Sequence, residues 1–328
     1  MIPEKLKPGD EIRVIAPSRS MGLISESVKD IAKKRLENLG LKVTFGEHID
    51  EEDEFTSSSI QSRLEDLHSA FRDKNVKAII SVIGGHNTHQ ILDDLDFNLI
   101  KENPKILCGY SDITALQNAI YKKTGLVTYS GPHFSTFGML KGFDYIEEYF
   151  KKCLMENSEY EVIPSEKWSS DEWYIDQEKR NFLQNDGFFV INEGSTRGTI
   201  VGGNMGTFNL LHGTEYMPIF DNTILFLEND VESENEFVVN FDRFIQSNIH
   251  QPNFEQVKGI VIGRFQSSSG MTKEKLVKII KNKEKLRNIP IIGYVDFGHT
   301  DPMITFPIGG TCEINISKKN SSVKIINH

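Results

Sequence analysis

Several polar residues of this 328-residue chain stand where apolar runs end, and their types suit acyl transfer. Ser111 lies between the run KILCGY and the helical pattern DITALQNAIYKKTG. Glu228 ends ILFLE, and His299 follows IPIIGYVDFG in a Gly-His-Thr-Asp-Pro turn. A serine hydroxyl becomes a nucleophile when a base removes its proton, and that base is commonly a histidine oriented by a carboxylate. Ser111, Glu228 and His299 supply those types in the order serine, acid, histidine. Each also has a structural occupation. Ser111 suits a helix N-cap, with Asp112 favoured in the first turn. Glu228 suits the start of a helix, and His299 a turn capped by Asp301. Local sequence leaves both occupations open.

Other groups gather at strand ends: Ser18, the run IGGHN (83 to 87), Gly202-Gly203-Asn204 and Asp230. Glycines let backbone N–H groups approach an oxyanion closely, and the Asp112 N–H, just past a tight strand-to-helix turn, faces the same way. The run is neither G-x-G-x-x-G nor a Walker A loop. Nor does GYSDI form the G-x-S-x-G elbow, because position 113 is Ile. His86 and His89 are three apart, with no Cys or carboxylate cluster to complete a metal site. Neither metal nor cofactor is expected. Cys108, Cys153 and Cys312 are odd in number and far apart, so they read as reduced thiols. Cys108 falls inside a strand, which disfavours a cysteine-dependent amidotransferase.

The elements that must position these groups alternate between buried strands and amphipathic helices. EIRVIAPS, LKVTFG, VKAIISVIGG, PKILCGY and LVTYSGP read as strands. Helical spacing falls between them, as in Ile60, Leu64, Leu67 and Phe71. This is the pattern of a doubly wound, mostly parallel sheet. Residues 1–160 are expected to form that domain and to carry the nucleophile. Residues 161–195, polar and holding both tryptophans, Trp168 and Trp173, read as a linker. Residues 196–328 then form a C-terminal α/β domain with a barrel-like β part that carries the acid and base. Its strands are TRGTIVGGN, NTILFLEND, VKGIVIGRF, IPIIGYVDFGH, TCEINIS and SVKIIN, with helices near 205–212, 233–248 and 272–283.

A formal net charge of −10 argues against a nucleic-acid partner. No apolar run reaches the ~18 residues of a membrane span, and the start lacks a secretory pattern. A cytoplasmic protein without a membrane partner is expected.

At these residues the chain resembles the serine LD-carboxypeptidase family, and within it the microcin C immunity hydrolases. Six blocks carry the likeness in order: LKPGDEIRVIAPS, IGGHNTHQIL, GYSDITALQNAIYKKTGLVTYSGP, IVGGNMGTFNLLHGTEYMP, FLEND and GYVDFGHTDPMITFPIG. The resemblance implies a Ser111-Glu228-His299 triad across the domain interface, an oxyanion hole from the Gly85 and Asp112 amides, and a homodimer. It also implies either of two substrates. One is an aminoacyl- or peptidyl-nucleotide of the microcin C kind, its base stacked on Trp173 or Trp168, with Asn204 a further contact. The other is a muropeptide tetrapeptide of cell-wall recycling. A non-catalytic nucleotide-binding protein, with Ser111 only a cap, stands as the contrasting class.

Overall fold

The computed structural model describes residues 1–231 and 236–328. Five apolar runs of the first half form parallel strands: β1 (Glu11–Ile15), β2 (Lys42–Phe45), β3 (Val76–Ser81), β4 (Ile106–Gly109) and β5 (Thr128–Ser130). They lie in the order β2-β1-β3-β4-β5, so the direction of winding reverses between β1 and β3. Ligands of such sheets bind beyond the carboxyl ends of the strands at that reversal. Side chains alternate along each strand. Ala78, Ile80 and Cys108 enter one core cluster, and Ile79 and Leu107 enter the other. Both faces are apolar because both are covered. Helices α1 (Glu26–Asn38) and α5 (Asp144–Leu154) bring Leu36 and Phe150 to the first cluster. Helices α2 (Ile60–Arg72), α3 (Phe97–Glu102) and α4 (Ile113–Thr124) bring Leu67, Ile100 and Leu116 to the second. The α4 helix stops at Gly125, whose φ of 73° suits a residue without Cβ.

The second half adds β6 (Tyr160–Glu161), then β7 (Lys167–Trp168) and β8 (Leu183–Gln184), which pair only with each other. There follow β9 (Phe189–Asn192), β10 (Gly194–Asn204), β11 (Thr223–Glu228), β12 (Val257–Gly263), β13 (Ile291–Val295), β14 (Phe306–Ile308), β15 (Thr311–Ile316) and β16 (Ser322–Asn327), with helices α6 (Met205–Asn209), α7 (Phe237–Ile249) and α8 (Lys273–Lys281). The helix expected from about 233 begins, as far as it is described, at Phe237; residues 233–235 lie outside the described residues. Eight of the strands pair in the order β6-β16-β15-β10-β11-β12-β13-β9. The architecture is thus the expected α/β one. The part expected to be barrel-like is an open sheet, and among the described residues no pairing joins β6 to β9. Its centre, β10 to β13, is parallel and continues the α/β pattern; only the flanks are antiparallel.

Two features join the halves. The three residues of β14 return to the first sheet and pair antiparallel with β5. Helix α4 also packs on β10, where Asn118 donates to the Gly202 carbonyl (2.8 Å) and accepts from its N–H (3.2 Å). At Gly203, φ is 124° and a Cβ would stand 2.6 Å from Thr114 Oγ1. The glycine pair read as strand-end chemistry is therefore a landing for the helix that follows Ser111.

Candidate active site

Past the end of β4 the chain turns at Tyr110 and Ser111 and enters α4. Ser111 has φ 58°, a left-handed conformation that non-glycine residues rarely adopt. Asp112, not Ser111, is the residue that precedes the first helical turn, so the hydroxyl is not the N-cap. The Ser111 Oγ lies 3.1 Å from His299 Nε2 instead. Glycine at 84 makes room for this turn, since a Cβ there would stand 2.9 Å from Ser111 Cβ.

His299 Nδ1 is 2.8 Å from Glu228 Oε2. Glu228 is the last residue of β11 and only 3% exposed, while the His299 side chain is 17% exposed. Glycines box the carboxylate in: a Cβ at Gly298 would stand 2.5 Å from Glu228 Oε2, and one at Gly263 2.7 Å from Glu228 Cβ. Burial works to lower the His299 pKa. The charge and hydrogen bond of Glu228, with Asp230 and Asp301 adding to them, outweigh it and push the pKa up to about 9. Below that pH the imidazolium donates from both nitrogens. Above it Nδ1–H still serves Glu228, and the Nε2 lone pair is free to accept the Ser111 proton.

The turn after β3 runs beside Ser111 and is held by a side chain. Asp112 Oδ2 accepts from Ser18 Oγ (2.6 Å), the Asn87 N–H (2.9 Å), the Thr88 N–H (2.8 Å) and Thr88 Oγ1 (2.6 Å). Asp112 is 1% exposed, so these bonds compete with little water. The buried Arg63 guanidinium reinforces the same turn by donating to the Asn87 carbonyl at 3.0 Å. Among the described residues neither the Gly85 N–H nor the Asp112 N–H has an internal acceptor. At Gly85 a Cβ would collide with Ser18 Oγ at 2.2 Å, which explains a glycine there.

This geometry coincides with two family models: LD-carboxypeptidase N-terminal domain over residues 12–131 and LD-carboxypeptidase C-terminal domain over 197–314. The putative carboxypeptidase YocD of Bacillus subtilis is 53% identical to the chain over the full length of both. The chain belongs to the LD-carboxypeptidase family. It is accordingly a hydrolase of the serine-peptidase type. The microcin C7 self-immunity protein MccF of Escherichia coli is 31% identical over 88% of this chain and 85% of its own. Among solved structures, an MccF-like protein from Bacillus anthracis superposes with TM-score 0.99 at 55% identity, covering both chains fully. MccF in complex with glutamyl sulfamoyl guanosine superposes with TM-score 0.88 at 27% identity over 99% of this chain and 98% of that one.

The remaining expected residues sit at varied distances from this centre in the family fold. Asn204 caps α6, accepting from the Thr207 N–H (2.9 Å) and donating to Asp230 (2.9 Å); it is buried and both ends are engaged. Trp168 lies in β7 with the Arg264 guanidinium 5.1 Å from its ring centroid, so that cation lies over one face of its ring. Trp173 is half-buried against the first core cluster, edge-on to Tyr174. Its segment is fastened next to the turn of His299: Ser169 and Asp301 exchange backbone hydrogen bonds (2.7 and 2.8 Å), and buried Arg180 pairs with Asp171 (2.6 Å) and Asp301 (3.0 Å). Cys108 is buried in β4 with its thiol pKa pushed up by burial, unlike a thiolate nucleophile. Sequence reasoning missed His133. Its ring stacks 4.2 Å from that of Tyr110, which lies 5.2 Å from His299, and Ser81 Oγ holds its Nδ1 at 2.7 Å. Burial, then the nearby His299, keep His133 neutral. The signal available was only GPHF after a strand.

Proposed function

We propose that the chain is a serine amidase in which Ser111, His299 and Glu228 act as nucleophile, general base and orienting acid on the amide of an aminoacyl- or peptidyl-nucleotide. The observation that carries this reading is the unbroken hydrogen-bonded line from Ser111 Oγ through both nitrogens of His299 to buried Glu228. As Oγ attacks the carbonyl carbon, its proton passes to His299 Nε2. The carbonyl oxygen takes up negative charge facing the unpartnered Gly85 and Asp112 amides. Collapse expels the leaving nitrogen, which takes the proton from Nε2, and leaves an ester on Ser111. Water, deprotonated by the same nitrogen, releases the acyl group as a carboxylate and restores the serine. No redox partner enters these steps.

The substrate part of the proposal is supported by relatives solved with glutamyl sulfamoyl guanosine and aspartyl sulfamoyl adenosine, which carry an acyl group joined to a nucleoside through nitrogen. The LD-carboxypeptidase family models and the carboxypeptidase name of the 53% relative favour a second substrate, a peptide ending in a D-amino acid. Incubating the protein with an aminoacyl sulfamoyl adenosine and with a tetrapeptide ending in D-alanine separates the two. Release of sulfamoyl adenosine is expected; cleavage of the tetrapeptide alone refutes the nucleotide reading. Ser111→Ala should lower turnover by several powers of ten on the preferred substrate. Retention of a tenth of the wild-type rate would refute the assignment of the nucleophile.

A further inference from the structure

Arg19 follows β1 and lies against the turn that carries Gly85. Its backbone N–H donates to the Gly84 carbonyl at 3.4 Å. Its Cγ and Cδ are 2.8 and 3.3 Å from the point a Gly85 Cβ would occupy. Gly84, one residue earlier, faces the Ser111 Cβ, so the arginine stem reaches the edge of the site two small residues from the nucleophile. Its head is held from the other side. Arg19 Nε donates to Thr56 Oγ1 at 3.1 Å, while Thr56 gives its own hydroxyl proton to the Phe55 carbonyl at 2.6 Å.

The clasp is built from an uncommon turn. Thr56 has φ 61°, an outlier for a β-branched residue, of the kind that persists only where the surroundings enforce it. Those surroundings are on hand: the Ser20 N–H donates to the Thr56 carbonyl at 2.9 Å, Arg19 and Ser57 form a β-bridge, and Ser57 Oγ donates to the Ser18 carbonyl at 2.9 Å. Among the described residues the two terminal nitrogens of the guanidinium have no hydrogen-bond acceptor and no carboxylate pairs with them, Nε alone being clasped. By contrast Arg13, Arg180 and Arg264 each have a carboxylate partner. A fixed guanidinium fork with its outer donors vacant suits the paired oxygens of a carboxylate, sulfamate or phosphate.

We propose that Arg19 recognises an anionic group on the leaving-group side of the scissile amide, carried by the atom bonded to the leaving nitrogen. This rests on the amidase reading and names the feature its two candidate substrates share. A terminal amino acid carries its carboxylate on the carbon bonded to that nitrogen; an N-acyl sulfamate, ionised at that nitrogen, shares its charge with the sulfonyl oxygens on the neighbouring sulfur, and a phosphoramidate carries charged oxygens on the neighbouring phosphorus. One arginine would accept either and reject an uncharged leaving group.

The test compares Arg19→Gln with wild type on two matched pairs. One pair is a tetrapeptide ending in D-alanine and its C-terminal amide. The other is an aminoacyl sulfamoyl adenosine and the uncharged aminoacyl amide of 5′-amino-5′-deoxyadenosine. For the pair that is hydrolysed, kcat/KM on the anionic member should fall about tenfold to a hundredfold in Arg19→Gln. The neutral member should change by less than about threefold. Arg19→Lys, which keeps charge but loses the fork, should fall between. Equal losses on both members, no loss on the anionic one, or a loss that tracks an acidic side chain on the acyl side overturns the proposal. Calorimetric titration of Ser111→Ala and Ser111→Ala/Arg19→Gln with the same compounds reads the arginine without catalysis, so failure of the amidase reading stays distinguishable. There, a ratio of anionic to neutral affinity that Arg19→Gln leaves unchanged also overturns it.

Discussion

Gly298→Ala tests the proposed acid and base while substituting neither residue. The new methyl would stand 2.5 Å from Glu228 Oε2, 2.7 Å from its Cγ and 2.8 Å from its Cβ, while the φ of 99° at this position already disfavours any side chain. Ordinary contact requires roughly 1 Å more. Glu228 has little room to retreat towards β12, because its Cβ already lies 2.7 Å from the point a Gly263 Cβ would occupy. The carboxylate must therefore swing, and the 2.8 Å bond to His299 Nδ1 breaks or lengthens. Removing the orienting acid from such a triad costs about 10⁴-fold in kcat, so a loss between about 10² and 10⁴ is expected for displacement. A second readout is independent of rate. His299 owes its pKa of about 9 chiefly to Glu228 working against burial. In wild type kcat/KM should climb with pH until near 9, the base being the deprotonated form. In Gly298→Ala that limb should move down towards 6.5. Steady-state kinetics from pH 5.5 to 10 on one substrate measures both, and Gly298→Ala/Glu228→Ala should be scarcely worse than Glu228→Ala. A variant within tenfold of wild type, with its limb unmoved, would refute the account of the slot.

Asp112→Ala removes the acceptor of four hydrogen bonds and frees the turn bearing Gly85. It should cost about 10²-fold or more in kcat, the scale of one lost oxyanion donor, with a smaller change in the affinity of a non-hydrolysed analogue. Gly203→Ala places a methyl 2.6 Å from Thr114 Oγ1 and should lower stability by about 1–3 kcal/mol, read as a lower denaturation midpoint with unchanged slope. His299 also links stability to pH. Its folded pKa lies above the unfolded value of 6.5, so its contribution is full below 6.5 and is lost as pH rises through about 9. Midpoints of wild type and His299→Gln should converge over that interval; a gap that widens instead would show the sign to be wrong.

The strands were legible because both faces of each parallel sheet are buried, so runs such as KAIIS and ILFLE stand out against polar helix surfaces. Ser111, Glu228 and His299, the three residues of the proposed triad, could be named for the same reason: each terminates or closely follows such a run. Sequence left Ser111 open, because a cap and a nucleophile share residue type and position; that Asp112 rather than Ser111 precedes the helix, and that the Ser111 hydroxyl meets His299, depends on a φ of 58° that no pattern announces. The barrel-like expectation failed because closely spaced strands say nothing about which edges meet. The three-residue β14 was too short to carry a period. Gly202 and Gly203 stood out as strand-end residues, yet Gly203 makes room for Thr114 of the helix and the Gly202 backbone exchanges hydrogen bonds with its Asn118 side chain, needs that arise only from contact across the two halves. Arg19 and Thr56 escaped notice because a solitary arginine and a left-handed threonine leave no pattern.

The return of β14 to β5 bears on how the molecule is made. A ribosome delivers all five parallel strands of the first sheet before residue 131, yet the outer edge of β5 has no neighbour until Phe306–Ile308 have emerged. For more than half of its synthesis the nascent chain carries an open strand edge, together with a Ser111 whose proposed base, His299, has not yet been translated. The insertion that closes that edge comes seven residues after His299, so the unfinished chain neither completes its first sheet nor holds a complete set of reacting groups.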